Sequence, residues 1–369
     1  MKPAQLRKRV EKVIAGNEKD TGLAKFLTAV SKIYGPVMDC RAKLYNQGAL
    51  RKKSIPCKVI SIGNLTLGGS GKTPMAIYAA KLLKQKGLKA AVVSRGYGGN
   101  IESSNAIGIV SDGKQMFLGP DQAGDESFLM ATKLGGIPVL VGKNRYAAGM
   151  LACKKFDPDI VILDDAYQHL AIHRDLNILL LDAGKPFGNL HIFPRGNLRE
   201  PVKQVQRADA IILTRSLKQD CAAPKFPEEI HKLVRDLPIF RACHCPEGFT
   251  RLAKNGQWQT YSSTKLASKK CLAFSGIVRN TDFKKMLSKL ELRISAFLTF
   301  PDHHKYTRYD IAQILKTAEK SGAEILVTTE KDLVKLSGSD FSPYKIYALC
   351  IKVLIWNNRK HFEDFILSR

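Results

Sequence analysis

The sequence predicts an α/β fold: a mostly parallel sheet core, led by an amphipathic helix and followed by a second, smaller α/β/α unit. Three observations predict it. Short, almost wholly apolar runs alternate with helical stretches from residue 57 to residue 215, the pattern of strands covered on both faces. The first run enters a glycine-rich loop, GNLTLGGSGKTP (63–74), which leaves in a helix. A shorter series of apolar runs begins near residue 238. A chain of 369 residues exceeds one average domain, and 44% hydrophobic residues can fill two cores.

Residues 1–56 read as a helical, membrane-associating segment. Phe26, Leu27, Val30, Ile33, Tyr34, Val37 and Met38 recur at helical spacing, with Thr28, Lys32, Asp39 and Lys43 on the other side. Pro36 is expected to kink or divide this helix. Lys25, Lys32, Asp39 and Arg41 interrupt it, so it lacks the ~20 apolar residues of a membrane span. Arg7-Lys8-Arg9 and Arg51-Lys52-Lys53 flank it. From pattern alone two readings stand: a helix packed on its own protein, or one lying on an anionic bilayer. No apolar core of signal-peptide type is seen at the N-terminus.

Residues 57–237 read as the nucleotide-binding core. CKVISIGNL is a strand, PMAIYAAKLLKQKG a helix ending at Gly87, and KAAVVSRG the next strand. IPVLVG, DIVILDD, LNILLLDA and AIILTR continue the sheet. In 238–369 the strands are CLAFSGI, RISAFLTF, AEILVTTE and KIYALCIKVLIW, with helices near 282–290 and 309–321. The strands bordering the two units are expected to link them.

The loop approaches the phosphate-binding P-loop, G-x-x-x-x-G-K-[ST], but Thr66 replaces its first glycine. Such a loop aims backbone N–H groups at phosphate oxygens at the positive end of a helix. Thr66, Leu67, Gly68, Gly69, Ser70, Gly71, Lys72 and Thr73 are thus the candidate ATP-binding set. Lys72 would reach the β/γ-phosphates and Thr73 would ligate Mg²⁺. Pro74 is tolerated in a first helical turn. A site of this kind needs an acid at the end of a neighbouring strand, and DIVILDD supplies Asp164 and Asp165. Adjacent carboxylates there are costly unless a cation neutralises them.

The net charge is +26, from 59 Lys and Arg against 33 Asp and Glu. Such a field attracts nucleic acid, anionic lipid or a phosphorylated substrate, and does not choose among them. No nucleic-acid-binding signature accompanies it. Eight cysteines lack framework spacing, and Cys243-His244-Cys245 has no second ligand pair for zinc, so reduced thiols in a cytosolic setting are expected.

Seven segments, read together, add a resemblance: GNLTLGGSGKTP, SRGYGG (94–99), GDE (124–126), DDAYQH (164–169), RGNLREP (195–201), FPDHH (300–304) and TTEKD (328–332). In this order, from about residue 25 to about 335, the chain resembles the tetraacyldisaccharide 4′-kinase (lipid A 4′-kinase) family of Gram-negative bacteria. The resemblance implies two α/β/α domains joined by a two-stranded linker. It implies transfer of the γ-phosphate of ATP to the 4′-hydroxyl of a tetraacylated glucosamine disaccharide 1-phosphate, forming lipid IVA in lipopolysaccharide biosynthesis. It places this peripheral enzyme at the cytoplasmic face of the inner membrane. No nucleic-acid partner follows from it, and a monomer is expected. The family's loop also carries threonine at the position of Thr66. Ala166-Tyr167 stands where Gly-Phe is commoner, and RGNLREP departs from Ala-Gly-Pro-Leu-Arg-Glu-Pro at its start.

The resemblance assigns the base to Asp125, assisted by His303, two residues from different predicted domains that would meet when these close. The loop and the strand-end acids themselves give Thr73, Asp164 and Asp165 as the candidate metal-binding set. Arg95, Tyr97, Arg145, Gln168, His169, Arg199 and Glu200 fall after strands or in family segments and are the candidate substrate-binding set. Arginines suit bidentate phosphate contacts. With an acylated substrate, Phe26, Val30, Ile33 and Val37 would face lipid.

Overall fold

A computed structural model describes residues 9–10, 13–14, 21–216, 226, 228–252 and 258–368. Arg7, Lys8 and Cys221 lie outside the described residues. The first long element is helix α1 (Thr21–Asn46), which runs unbroken through Pro36, so the proline does not divide it. Small residues make its protein-facing side. Leu27, Ser31, Gly35 and Ala42 are buried, and a Cβ on Gly35 would come within 2.9 Å of Ile192. The Ser31 hydroxyl donates to Ile192 O at 2.8 Å and accepts from the Arg195 N–H at 3.0 Å.

The apolar periodicity of α1 therefore serves two faces. Phe26, Ile33 and Val37 are 65%, 71% and 58% exposed, on a ridge turned away from the protein. Exposed Lys25, Lys32 and Lys43 run beside it. Among the described residues no helix is long and apolar enough to cross a membrane.

Strands β1 (Lys58–Asn64), β2 (Ala90–Ser94), β3 (Ile107–Ser111), β4 (Val139–Gly142), β5 (Ile160–Asp164), β6 (Leu176–Asp182) and β7 (Ala210–Thr214) pair in the order β7-β6-β1-β5-β2-β4-β3. All are parallel except the edge strand β3. Helix α2 (Lys72–Gln85) follows the loop and covers one face. Its Met75, Ala76, Ala79 and Leu83 pack on Ile60, Ile62, Val92 and Ile162. The other face holds Val59, Val93, Val161 and Leu163 against Ala148 and Ala152 of the helix Arg145–Phe156. Each buried Val, Ile, Leu or Met side chain here contributes roughly 1.5–3 kcal/mol, which is why the strands read as continuous apolar runs.

The sheet then continues into the C-terminal half. Strand β8 (Ile239–Leu252) pairs in parallel with β7 through Ile239, Phe240 and Arg241, then antiparallel with β13 (Lys345–Ile355) from Ala242 to Thr250. Strand β9 (Trp258–Tyr261) hairpins onto β8, and β10 (Lys270–Ser275), β11 (Arg293–Thr299) and β12 (Ile325–Thr329) extend the order as β13-β12-β10-β11. The described residues thus form one 13-stranded sheet. Helices Asn280–Lys289 and Arg308–Lys320 cover opposite faces of this half. The His244 ring leaves β8 toward Gly71, where a Cβ would lie 2.8 Å from its Nε2. The flanking Cys243 and Cys245 bring their sulfurs to 3.5 Å of each other.

Candidate active site

The loop between β1 and α2 opens at the carboxyl end of the parallel strands, where α/β sheets place their ligands. Thr66 does not need glycine's freedom there. It bridges antiparallel to Leu198, while the Leu67 N–H donates to Asn197 O at 2.6 Å and the Asn64 side chain to Thr66 O at 2.7 Å. The loop entrance is therefore a short extended pair with residues 197–199, which suits a β-branched residue. The freedom is used further on. Gly68 and Gly71 adopt φ 105° and 83°, and Gly71 caps α2 with no side-chain cap bond. Uncapped N–H groups at a helix start attract an anion. The buried Ser70 hydroxyl has no partner here either.

A groove of about 1890 Å³ runs from this loop across to the C-terminal half. Residues 67–73, Asp164 and Asp165 line it from one side, and Asp302, His303 and Lys331 from the other. Asp164 ends β5 and is 2% exposed, with its Oδ1 buried and without a hydrogen bond. Burial, reinforced by the charges of Glu126 and Asp165, pushes its carboxyl up to about 7. Asp165 behaves differently. Burial opposes its ionisation, but Lys72 Nζ at 3.8 Å and Arg199 Nη1 at 2.9 Å hold it below the usual carboxylate range. The Thr73 hydroxyl donates to Glu126 Oε2 at 3.2 Å.

Asp125 opens helix α3 (Asp125–Lys133), and Gly124 before it adopts φ 80° in a position where a Cβ would meet Tyr97 O at 2.4 Å. Asp125 Oδ1 accepts the Glu126 N–H at 3.0 Å, and His303 Nδ1 stands 3.3 Å from Oδ2. Burial works against this carboxylate, yet His303, Lys331 and Lys335 bring it down to about 2. His303 holds φ 56°, a left-handed conformation uncommon for a non-glycine residue, and its ring meets Tyr97 edge-on at 5.3 Å.

The remaining sequence candidates divide. Arg95, Tyr97, Gln168 and Arg199 line the groove. Arg95 pairs with Glu102 at 2.5 Å, and the Gln168 amide donates to Asn64 O at 2.9 Å. Arg145 lies behind the groove, 4% exposed, with Nη1 donating to Gly142 O at 3.3 Å. Burial lowers it to about 10 against the pull of Asp165. His169 is half-buried off the lining, lowered to about 4 by burial and by Arg145 and Arg174. Glu200 corrects the sequence reading. It is 0% exposed and paired with Arg207 at 2.5 Å, because its carboxylate anchors the 195–207 segment from inside rather than facing a ligand. Tyr167, beneath it, donates to Gln204 O at 2.7 Å with Arg207 over its ring.

Sequence reasoning missed three groups in this groove. Glu126 adjoins Asp125 in GDE and reaches Thr73, and Ser94 donates to Asp164 Oδ2 at 3.4 Å. Lys331, in a segment with no assigned role, puts Nζ 3.0 Å from both Glu126 Oε1 and His303 Nε2. Adjacency to Asp125 was the available signal for Glu126. For Lys331 only its place in TTEKD pointed to the site.

Comparison with known proteins shows the family. The family described as Tetraacyldisaccharide-1-P 4'-kinase matches residues 23–369. The chain is 44% identical over 373 residues to the tetraacyldisaccharide 4'-kinase of Desulfatibacillum aliphaticivorans, covering 99% of this chain and 98% of that one. It is 38% identical over 361 residues to the enzyme of that name from Syntrophus aciditrophicus, covering 96% and 95%. The solved structure of LpxK from Aquifex aeolicus in complex with ATP is similar over 94% of this chain and 99% of that one, at TM-score 0.76 and 34% identity. A match across nearly the whole chain, on a sheet that carries the loop, the acids and the histidine in one groove, makes this protein a member of the tetraacyldisaccharide-1-P 4'-kinase family.

Proposed function

We propose that the chain transfers the γ-phosphate of ATP to the 4′-hydroxyl of an acylated glucosamine disaccharide 1-phosphate, with Asp125 as base. The observation that carries the reading is the meeting of Asp125 and His303 in the same groove as the 66–73 loop. Against burial, His303, Lys331 and Lys335 hold the Asp125 carboxyl well below the usual range, so the carboxylate can take the hydroxyl proton as the phosphoryl group arrives, and His303 orients it through Nδ1. Lys72 and the loop N–H groups bind the triphosphate, and Lys72 is held in place by Asp165.

The residues fit Mg²⁺. An orphaned, buried Asp164 oxygen beside Glu126 and Asp165 is a charge excess that a divalent cation would relieve, and the Thr73 hydroxyl stands at the same carboxylate cluster. Asp164 and Thr73 would hold the ion. Asp165, already paired with Lys72 and Arg199, acts through those cations instead. When bound, the metal offsets negative charge on the phosphate oxygens.

Arg95, Tyr97, Gln168 and Arg199 face the groove and are the candidates for the sugar and its 1-phosphate, with Arg145 and His169 supporting from behind. Residues 57–237 form the kinase core and 238–369 the smaller domain, with β8 and β13 as the linking strands. The loop, Asp125 and His303 belong to the same chain, so the proposed chemistry needs no second copy. The exposed ridge of α1 and its lysines would bring the groove to the anionic cytoplasmic face of the inner membrane, where an acylated substrate lies. The test is purified protein with detergent-dispersed disaccharide 1-phosphate, labelled ATP and Mg²⁺. A labelled lipid product is expected, and folded protein yielding none would sink the reading.

A further inference from the structure

Helix α3 and a second short helix, α4 (Glu330–Lys335), come from opposite halves of the chain and lie against each other. Their charged side chains are reciprocal. Lys133 at the end of α3 meets Glu330 at the start of α4 at 2.6 Å. Glu126 meets Lys331 at 3.0 Å, and Asp125 meets Lys335 at 3.5 Å. Every one of these side chains except Glu126 is at most 18% exposed, so these are not ordinary surface pairs.

The TTEKD segment explains how α4 is aimed. The Thr329 hydroxyl accepts the Asp332 N–H at 3.1 Å and caps the helix. Asp332, wholly buried, accepts from the Gly276 N–H at 3.0 Å and the Thr329 hydroxyl at 2.7 Å, and stands 3.4 Å from Lys335 Nζ. Glu330 also accepts the Ile351 N–H at 3.3 Å, which ties the start of α4 to β13. Lys331 Nζ then stands 3.0 Å from both Glu126 Oε1 and His303 Nε2, and 3.5 Å from Asp302 Oδ1. An ammonium has no lone pair, so Nε2 must accept and the ring proton sits on Nδ1, facing Asp125.

We propose that α4 is the positioning element of the reaction: Glu330, Lys331 and Lys335 clasp α3 and so bring His303 onto Asp125 in the productive orientation and tautomer. The inference deepens the Asp125–His303 reading and rests on it. These are positioning residues, acting through the pair rather than on the substrate. Charges of opposite sign at both ends of α3 make the clasp specific for one register, since a slipped approach sets like charges together.

A charge exchange at the pair most remote from the reacting atoms tests this. Lys133→Glu and Glu330→Lys should each lower kcat by at least roughly tenfold, with the KM for ATP little changed. The double variant should recover most of the loss. Because a single reversal near β13 can cost folding, Lys331→Met and Lys331→Arg provide a second series. The methionine should lose kcat with its melting temperature retained, and the arginine should restore much of it. Full activity in the Lys133, Glu330 and Lys331→Met variants would overturn the proposal, as would a double exchange no better than the worse single. Asp125→Asn separates the two readings. If Asp125→Asn is active, the base assignment falls and the clasp, which acts through that base, falls with it. If Asp125→Asn is inactive while the clasp variants are normal, the clasp alone falls.

Discussion

His303 Nδ1 lies 3.3 Å from Asp125 Oδ2, although His303 follows β11 and Asp125 opens α3 in the other half of the chain. Neither residue reaches this contact by local structure. Asp125 is aimed by the turn at Gly124, and His303 by its own left-handed backbone and by Lys331. The pair therefore exists only when both halves of the groove are in place.

If the two side chains act as one unit, their losses should not add. Asp125→Ala is expected to lower turnover by roughly 10²–10⁴-fold while ATP binding persists. His303→Ala should cost less, because the carboxylate remains. The double variant should be close to Asp125→Ala alone. Steady-state turnover on the lipid substrate, with ATP affinity measured by calorimetry, decides it. A double variant that multiplies the two single losses would mean the residues act independently.

Asp164 illustrates how a site stores instability. Its carboxyl is raised to about 7 by burial and by the charges of Glu126 and Asp165, against about 3.8 for an unperturbed group. A raised folded-state value favours the protonated native form, so its contribution is full below the unfolded value and is lost as pH rises through about 7. In metal-free buffer, Asp164→Asn should thus match the parent near pH 4 and be the more stable protein near pH 8. Mg²⁺-dependent turnover should meanwhile fall at least about 10²-fold. Thermal melts in chelator at both pH values, paired with kinetics, test both halves. A variant less stable than the parent at pH 8 would contradict the charge excess.

Much of the parallel core was legible because strands buried on both faces leave continuous apolar runs, as in DIVILDD and LNILLLDA. The long strand β8 was not read. IFRACHCPEGFTRL interrupts its apolar residues with charge and with Pro246-Glu247-Gly248, because much of it is half-covered, with His244 turned to the loop. The edge strand β3 was missed for a similar reason, being only partly buried along IGI. Within the groove, the loop and the paired aspartates announce themselves by position on strand ends. Lys331 and Glu126 do not, since their roles depend on two helices meeting across the sheet. Glu200 misled because its segment reaches the groove through Arg199 while its own side chain points inward.

That inward orientation predicts a loss of stability rather than of substrate affinity. Glu200→Ala leaves the guanidinium of Arg207, itself mostly buried, without its carboxylate. Breaking one side of such a pair costs roughly 3–5 kcal/mol. Urea unfolding should register that loss, and the folded fraction should keep its KM for the lipid. A raised KM at unchanged stability would instead return Glu200 to the substrate surface.

The ridge on α1 separates binding from folding in the opposite sense. Phe26 and Ile33 are 65% and 71% exposed, and the helix is held to the protein by Leu27, Ser31, Gly35 and Ala42 on another face. Replacing both ridge residues by glutamate removes apolar surface that no protein group covers, so melting temperature should be nearly unchanged. On vesicles containing anionic lipid the same change removes two insertion points and adds two charges of the repelled sign. Each large apolar side chain is worth roughly 1.5–3 kcal/mol on burial, so the pair should weaken partition by more than about tenfold. Cosedimentation with anionic and with neutral vesicles measures the two contributions separately, since the lysines beside the ridge respond only to the former. Turnover on a short-chain, detergent-free acceptor should be preserved, because Tyr34 and Met38 of α1 line the groove but Phe26 and Ile33 do not. Equal vesicle binding by parent and variant would show that α1 is not the docking surface.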